Sequence, residues 1–382
     1  MRHLLHGKLP ASLCVLMCTC LTLFGCGADA TTPARAPTLS LTGSHKEASG
    51  LDSAHYANGH TSGNSPFRFF SPSSFWYRQA AGEPVDPSSS AVVAALDGEV
   101  TEEQLAKRGP WINTTEFSVP VYTVGANQPT VMVKLAHHAP EPALQAAWKS
   151  VPLPPAAQPA LGHDALLVVW QPSTDRLWEF WHLKREGGAW QATWGGAMRE
   201  TSSDQGAYGP AAWPGAKTWW GASASSLSLV GGLITLEDLE RGTINHALSM
   251  SIPNVRGGVY ASPARRSDGI DPSPFALPEG AHLRLDPNLD IASLHLPRLT
   301  RMIAEAAQHY GIFVRDGSTN VTFQAQDPIS TGSEPYVGSQ GYFAGLNPRE
   351  LLAGFPWNQL ELLKMELHRS GRSDDGPRRQ LG

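Results

Sequence analysis

All four cysteines of the chain, Cys14, Cys18, Cys20 and Cys26, fall within its first 26 residues. Everything that folds beyond them does so without a thiol. Disulfide frameworks, cysteine zinc sites and thiol nucleophiles are therefore excluded from the rest of the chain, and its stability must come from core burial. The length that remains, about 300 residues once polar ends are set aside, is ample for one large domain or two smaller ones.

The cysteine-bearing end sets the expected compartment. Arg2, His3, His6 and Lys8 form a basic head, and Leu9 to Phe24 is a largely apolar run too short for a comfortable membrane span. It ends in Leu23-Phe24-Gly25-Cys26, which resembles a lipobox, a small residue before a cysteine that is lipidated. The expectation is a lipoprotein signal peptide over residues 1–25, cleaved so that Cys26 carries the lipid. An ordinary secretory signal, or an anchor that is never cut, is the alternative. Residues 26–65 read as a flexible tether rich in Ala, Thr, Ser, Gly and Pro, with too little apolar surface to offset its ordering entropy. A disordered tail is expected over 367–382. The expected localisation is extracytoplasmic, anchored by lipid to the bacterial cell envelope, so that the membrane is itself a partner.

A formal charge of −5 with only 16% charged residues leaves no basic patch of the kind nucleic acid requires, and that class of partner is excluded. The 37 glycines and 31 prolines favour many turns over a helical bundle. Residues 164–199 read as an antiparallel meander, with strands over 165–170, 176–184 and 189–195 separated by turns at Pro172–Asp175 and Gly187–Gly188. In the middle strand Leu177, Glu179, Trp181 and Leu183 share one face, and Trp178, Phe180 and His182 the other. Both faces are aromatic, which predicts a central strand. Short helices are predicted over 101–108, 235–242 and 297–310 and from Asn347, with a strand over 243–252 and another over 312–315. The fold expectation is a mainly β chain: a single large antiparallel β-sandwich, jelly-roll-like, over residues 66–366, with a few short helices on its rim.

Trp219 to Asp316 carries a connected set of motifs: Gly232-Leu233, Glu237, Gly242-x-Ile244-x-His246-Ala247-Leu248, Ser262-Pro263, Ser267-Asp268-Gly269, Pro278-Glu279-Gly280-Ala281 and Tyr310-Gly311 with Asp316. Together with Leu177–Trp181 and Trp194-Gly195-Gly196, this combination resembles a family of uncharacterised secreted bacterial proteins over about 150 residues. The resemblance implies a jelly-roll type sandwich, an architecture shared by many glycan-binding proteins and polysaccharide lyases. It implies no catalytic residue, and fold does not fix function.

Chemistry-bearing residues give three readings. His246, expected mid-strand beside a helix carrying Glu237, with Asp268 a loop away, can act as a general base next to a uronate carboxylate. It can equally be a buried histidine satisfied by backbone. Glu179 with Glu237 or Asp268 can form a glycosidase pair, or be one charge at a sheet rim. Arg265, Arg266 or Arg284 can neutralise a substrate carboxylate. Nine of twelve tryptophans fall between Trp148 and Trp220, where uniform scatter would place roughly two or three, so something local uses them. Most are expected in the core. Trp213, Trp219 and Trp220, among Gly, Pro and Ala, are expected to be displayed as a sugar platform, with Arg265 beside them.

No G-x-S-x-G, H-E-x-x-H, phosphate loop or G-x-G-x-x-G is present, and no cofactor or metal is expected. The Asp286-Pro287-Asn288-Leu289-Asp290 run starts like a calcium loop, but Ile291 and Pro297 stand where the glycine and glutamate belong. The leading expectation is carbohydrate binding at the cell surface. A polysaccharide-cleaving enzyme using His246, Glu179, Glu237 and Asp268 is the second, and a structural envelope protein the third.

Overall fold

The structure, a computed structural model, describes residues 67–370; the signal peptide, Cys26 and the tether expected over 1–65 lie outside the described residues, as does the chain beyond Ser370. The polypeptide is mainly β, with its strands in four sheets. The largest has six strands in the order Trp111–Asn113, Thr322–Gln324, Leu248–Ile252, Ile312–Gly317, His282–Leu285, Leu360–Leu362. The next has five: Gln326–Asp327, Val119–Thr123, Leu167–Gln171, Arg176–Trp181, Trp194–Arg199.

The first two strands of the expected meander form the antiparallel end of the five-stranded sheet, with Trp178 opposite Val169 on one side and Ala197 on the other, but the third place is taken by Trp194–Arg199 instead of 189–195. Leu177 to Trp181 is buried at every position, as an aromatic strand flanked on both sides requires. The expected middle strand nevertheless breaks early. His182 turns into the left-handed region (φ 53°), and Lys184–Glu186 pairs instead with Ala189–Ala192 around Gly187-Gly188 in a separate three-stranded sheet. Both glycines there have positive φ, the combination a two-residue hairpin of matching twist needs.

The sheets are mixed rather than purely antiparallel. Leu248–Ile252 runs parallel to Ile312–Gly317, and Val119–Thr123 runs parallel to Leu167–Gln171. Parallel neighbours need a long crossover. Here the stretch between 252 and 312 contributes the strand His282–Leu285 and the helix Arg298–His309 on its way. That helix puts Leu299, Met302, Ile303 and Ala306 into the core at the spacing read from the sequence.

Two further helices differ from expectation. The one expected at 101–108 is the end of a longer helix, Ser89–Leu105, and Pro142–Ala147 forms a short helix with proline in its first turn. The segment from Asn347 makes turns instead of a helix. At the other end, Leu367–Arg369 pairs with Val259–Ala261, so ordered structure runs past the expected boundary at 366. Among the described residues no helix is long and apolar enough to cross a membrane.

Two cores hold the fold. One surrounds the five-stranded sheet and contains Trp76, Trp148, Trp178, Phe180 and Trp220; the other lines the six-stranded sheet under Ser89–Leu105 and Arg298–His309. Phe313 of the larger sheet sits in the aromatic core, 5.2 Å from Trp76 edge to face.

Candidate functional site

The helix Leu236–Arg241 is closed at its start by a capping box. The Thr235 amide and hydroxyl both donate to Asp238 Oδ2 (2.9 and 2.6 Å), and the Asp238 amide donates to Thr235 Oγ1 (3.1 Å). This turns Asp238 inward and leaves Glu237 outside, where it pairs with Arg241 at 2.6 Å. The acid that meets His246 is accordingly Asp238, at 3.1 Å from Nε2, and not Glu237. His246 precedes its strand, which begins at Leu248, and its Nδ1 lies 2.9 Å from the Ala247 carbonyl. Burial pulls the imidazole pKa down, but the Asp238 carboxylate and the Ala247 carbonyl outweigh it and the net shift is upward. With an acceptor at each ring nitrogen the favoured species is an imidazolium that donates twice.

Glu179 is fully buried. It accepts from the amides of Ala222 (2.8 Å) and Leu229 (2.9 Å) and from the Ser228 hydroxyl (3.0 Å), so it ties down the 222–229 loop. Burial raises its carboxyl pKa; these three donors and the Arg315 charge act against that rise. Gly195 and Gly196 allow the close approach around it, since a Cβ on them would meet the Glu179 carbonyl at 2.0 Å and the Tyr208 ring at 2.4 Å. Among the described residues, His246, Glu179 and Asp268 each contact a different set of partners.

The tryptophan platform is corrected at Trp220. Trp220 is completely buried, because the loop that carries it folds inward over the five-stranded sheet. Trp213 and Trp219 are half-buried against the same core. The Arg176 guanidinium lies over Trp213 at 5.7 Å, and Trp219 donates from Nε1 to Glu141 Oε2 at 3.3 Å. Arg265 is exposed, with its amide bonded to the Ser225 carbonyl. The tryptophan excess is largely structural. Indole N–H groups of Trp148, Trp178 and Trp194 donate to the carbonyls of Gly196, Ala147 and Trp219, which fastens loops to the sheet.

Two features were not legible in the sequence. The first is an open groove of about 460 Å³ bounded by Pro155–Pro159 and Leu183–Arg185, with buried Trp190 beneath it. The Arg185 guanidinium sits 5.9 Å from the Trp190 ring, and Lys184 lies on the same rim. A proline-rich segment opposite a hairpin carrying K-R and A-W gives no periodic signal, so only the tertiary fold shows it.

The second joins three of the motifs named above. Asp268, Glu279 and Asp316 bring carboxylate oxygens within 4.8 Å of one another. Glu279 is fully buried, Asp316 nearly so and Asp268 half-buried. Burial, with the charges of Asp268 and Asp316 added, drives the Glu279 carboxyl far above the usual carboxylate range. Asp268 was expected near His246; its neighbours are these two acids instead. The calcium-like run closes on itself, Asp286 accepting from the Asn288 amide and Asp290 capping Ala292.

Comparison with protein-family models, with curated proteins and with solved structures finds no match to this chain.

Proposed function

We propose that the chain is a lipoprotein of the bacterial cell envelope, anchored at Cys26, whose folded domain binds an acidic polysaccharide in the groove between Pro155–Pro159 and Leu183–Arg185. The groove itself is the observation that carries this reading: it is open, of a size for a short stretch of glycan, apolar at its floor and cationic at its rim. Proline and alanine surfaces over buried Trp190 suit the apolar faces of pyranose rings, and a few polar groups at the edge of such a site fix orientation. Arg185, held by its Nε to the Gly188 carbonyl at 3.2 Å, supplies charge for a uronate or sulfate group, and Lys184, paired with Glu186 at 3.1 Å, stands beside it. The mainly β architecture and the sandwich, jelly-roll-like form implied by the resemblance are consistent with glycan binding, by analogy of fold alone. Cleavage of the polysaccharide is disfavoured because both ring nitrogens of His246 are engaged by Ala247 and Asp238 and Glu179 is sealed in the core.

The test is binding of the purified chain to a panel of neutral and acidic polysaccharides by affinity electrophoresis and calorimetry. Wild type is expected to bind acidic members preferentially, and Lys184→Glu with Arg185→Glu to lose that binding while keeping its fold, since both residues are exposed. New reducing ends or unsaturated uronate would move the assignment to an enzyme. Silence on every glycan would move it to a structural envelope role.

A further inference from the structure

We propose that Asp268, Glu279 and Asp316 form a binding site for a divalent cation of the calcium class, separate from the glycan groove. The three ligands come from three elements: the loop that follows Ala264, the turn before the strand His282–Leu285, and the bulge in Ile312–Gly317, where the register shifts between Val314 and Asp316. The bulge re-aims Asp316 relative to the regular ladder.

The turn that carries Glu279 is fixed from both sides. The Ala261 amide donates to the Glu279 carbonyl at 2.8 Å, and the Gly280 amide donates to Val314 at 2.8 Å. Gly280 has φ 83°, and a Cβ there would lie 1.8 Å from the Ala261 carbonyl oxygen. Only glycine fits, and the rigid turn aims the Glu279 carboxylate at the other two.

An acidic cluster alone does not define a site. Here Glu279 supplies a second observation. It is completely buried, and neither Oε1 nor Oε2 meets a donor in hydrogen-bonding geometry. The Ser267 hydroxyl, which accepts from the Gly269 amide, and the Arg266 guanidinium, which donates to Ser226 Oγ and to the carbonyls of Ser223 and Gly221, lie beside it and favour its ionised form. Buried polar groups are almost always satisfied, and a buried acid facing two others is among the costliest arrangements to leave alone. A divalent cation satisfies Glu279 and draws Asp268 and Asp316 into one shell.

The donor set selects the ion. Oxygen-only, carboxylate-rich ligation suits hard cations. Calcium tolerates irregular geometry with ligands at about 2.3–2.6 Å, whereas magnesium demands a near-ideal octahedron and keeps several waters. Half-buried Asp268 is the open side, where an ion enters and where water completes the shell.

The experiment is calorimetric titration of calcium chloride into the chelator-treated, desalted full chain, paired with thermal unfolding with and without the ion. One binding event is expected, with a rise in Tm that magnesium chloride reproduces only weakly. Asp268→Asn should weaken calcium binding at least tenfold with an unchanged circular dichroism spectrum. Glu279→Gln should abolish the calcium-dependent rise in Tm; if that variant does not fold, Asp268→Asn carries the test. No heat and no Tm change with millimolar calcium would overturn the proposal and leave a proton shared among the acids. So would tighter binding of magnesium than of calcium, or variants that bind calcium as well as wild type.

Discussion

His246 Nε2 lies 3.1 Å from the same Asp238 oxygen that accepts from both the amide and the hydroxyl of Thr235. One carboxylate thus caps the helix Leu236–Arg241 and holds the histidine that leads into the strand at Leu248. For Asp238, burial pushes the carboxyl pKa up, but the His246 charge and the Thr235 bonds outweigh it and the net shift is down from 3.8. The imidazole is shifted up from 6.5.

The pair therefore stabilises the fold in a defined pH window. The histidine contribution is complete below its unfolded value of 6.5 and is lost as pH rises through the raised folded value. The aspartate contribution is present above 3.8 and is lost as pH falls through the lowered folded value. His246→Gln should cost most between these limits, roughly 3–5 kcal/mol for breaking a buried pair, with the difference shrinking towards alkaline pH. Urea melts at several pH values measure this. A difference that does not change with pH would contradict it.

Glu179 is expected to be a stability residue. Glu179→Ala leaves the Ala222 and Leu229 amides and the Ser228 hydroxyl without their acceptor inside the core, at roughly 1–3 kcal/mol for each buried group left unsatisfied. Denaturant unfolding should show a large loss, with Glu179→Gln milder because it keeps one oxygen. A fully stable Glu179→Ala that lost glycan binding instead would overturn this role.

The tryptophans should separate by burial. Trp220→Ala is expected to destabilise by roughly 3–5 kcal/mol, as for other large core truncations. Trp213→Ala and Trp219→Ala, at half-buried positions, should cost less and leave glycan binding unchanged. Thermal unfolding and affinity electrophoresis on the three variants check both halves. Loss of binding in Trp213→Ala or Trp219→Ala without loss of stability would restore the platform expected from the sequence.

Local rules carried the sequence reading a long way in some elements and failed in others for definable reasons. The capped helix Leu236–Arg241, the helix Arg298–His309 and the paired strands Leu167–Gln171 and Arg176–Trp181 follow from capping, 3.6-residue and two-residue periodicity. The parallel pairing of Leu248–Ile252 with Ile312–Gly317 does not, because register between strands sixty residues apart is a tertiary property. The Gly-Pro-Ala context of Trp220 suggested display, but loops anchored by a buried carboxylate such as Glu179 can fold inward over a sheet. The meeting of Asp268, Glu279 and Asp316 was present only as three separate motifs, since their spacing of eleven and thirty-seven residues matches no local ligand pattern. The groove had no signal, because one wall is a proline-rich connection and the other a hairpin.

The central claim is that the groove is the glycan-binding surface. Hydrogen–deuterium exchange of the chain with and without a saturating acidic polysaccharide tests it most directly. The account predicts slowed exchange confined to 155–159 and 183–190, absent with a neutral glycan and absent in the Lys184→Glu, Arg185→Glu variant. Protection centred on 213–220, or none anywhere while the glycan is demonstrably bound, would contradict it.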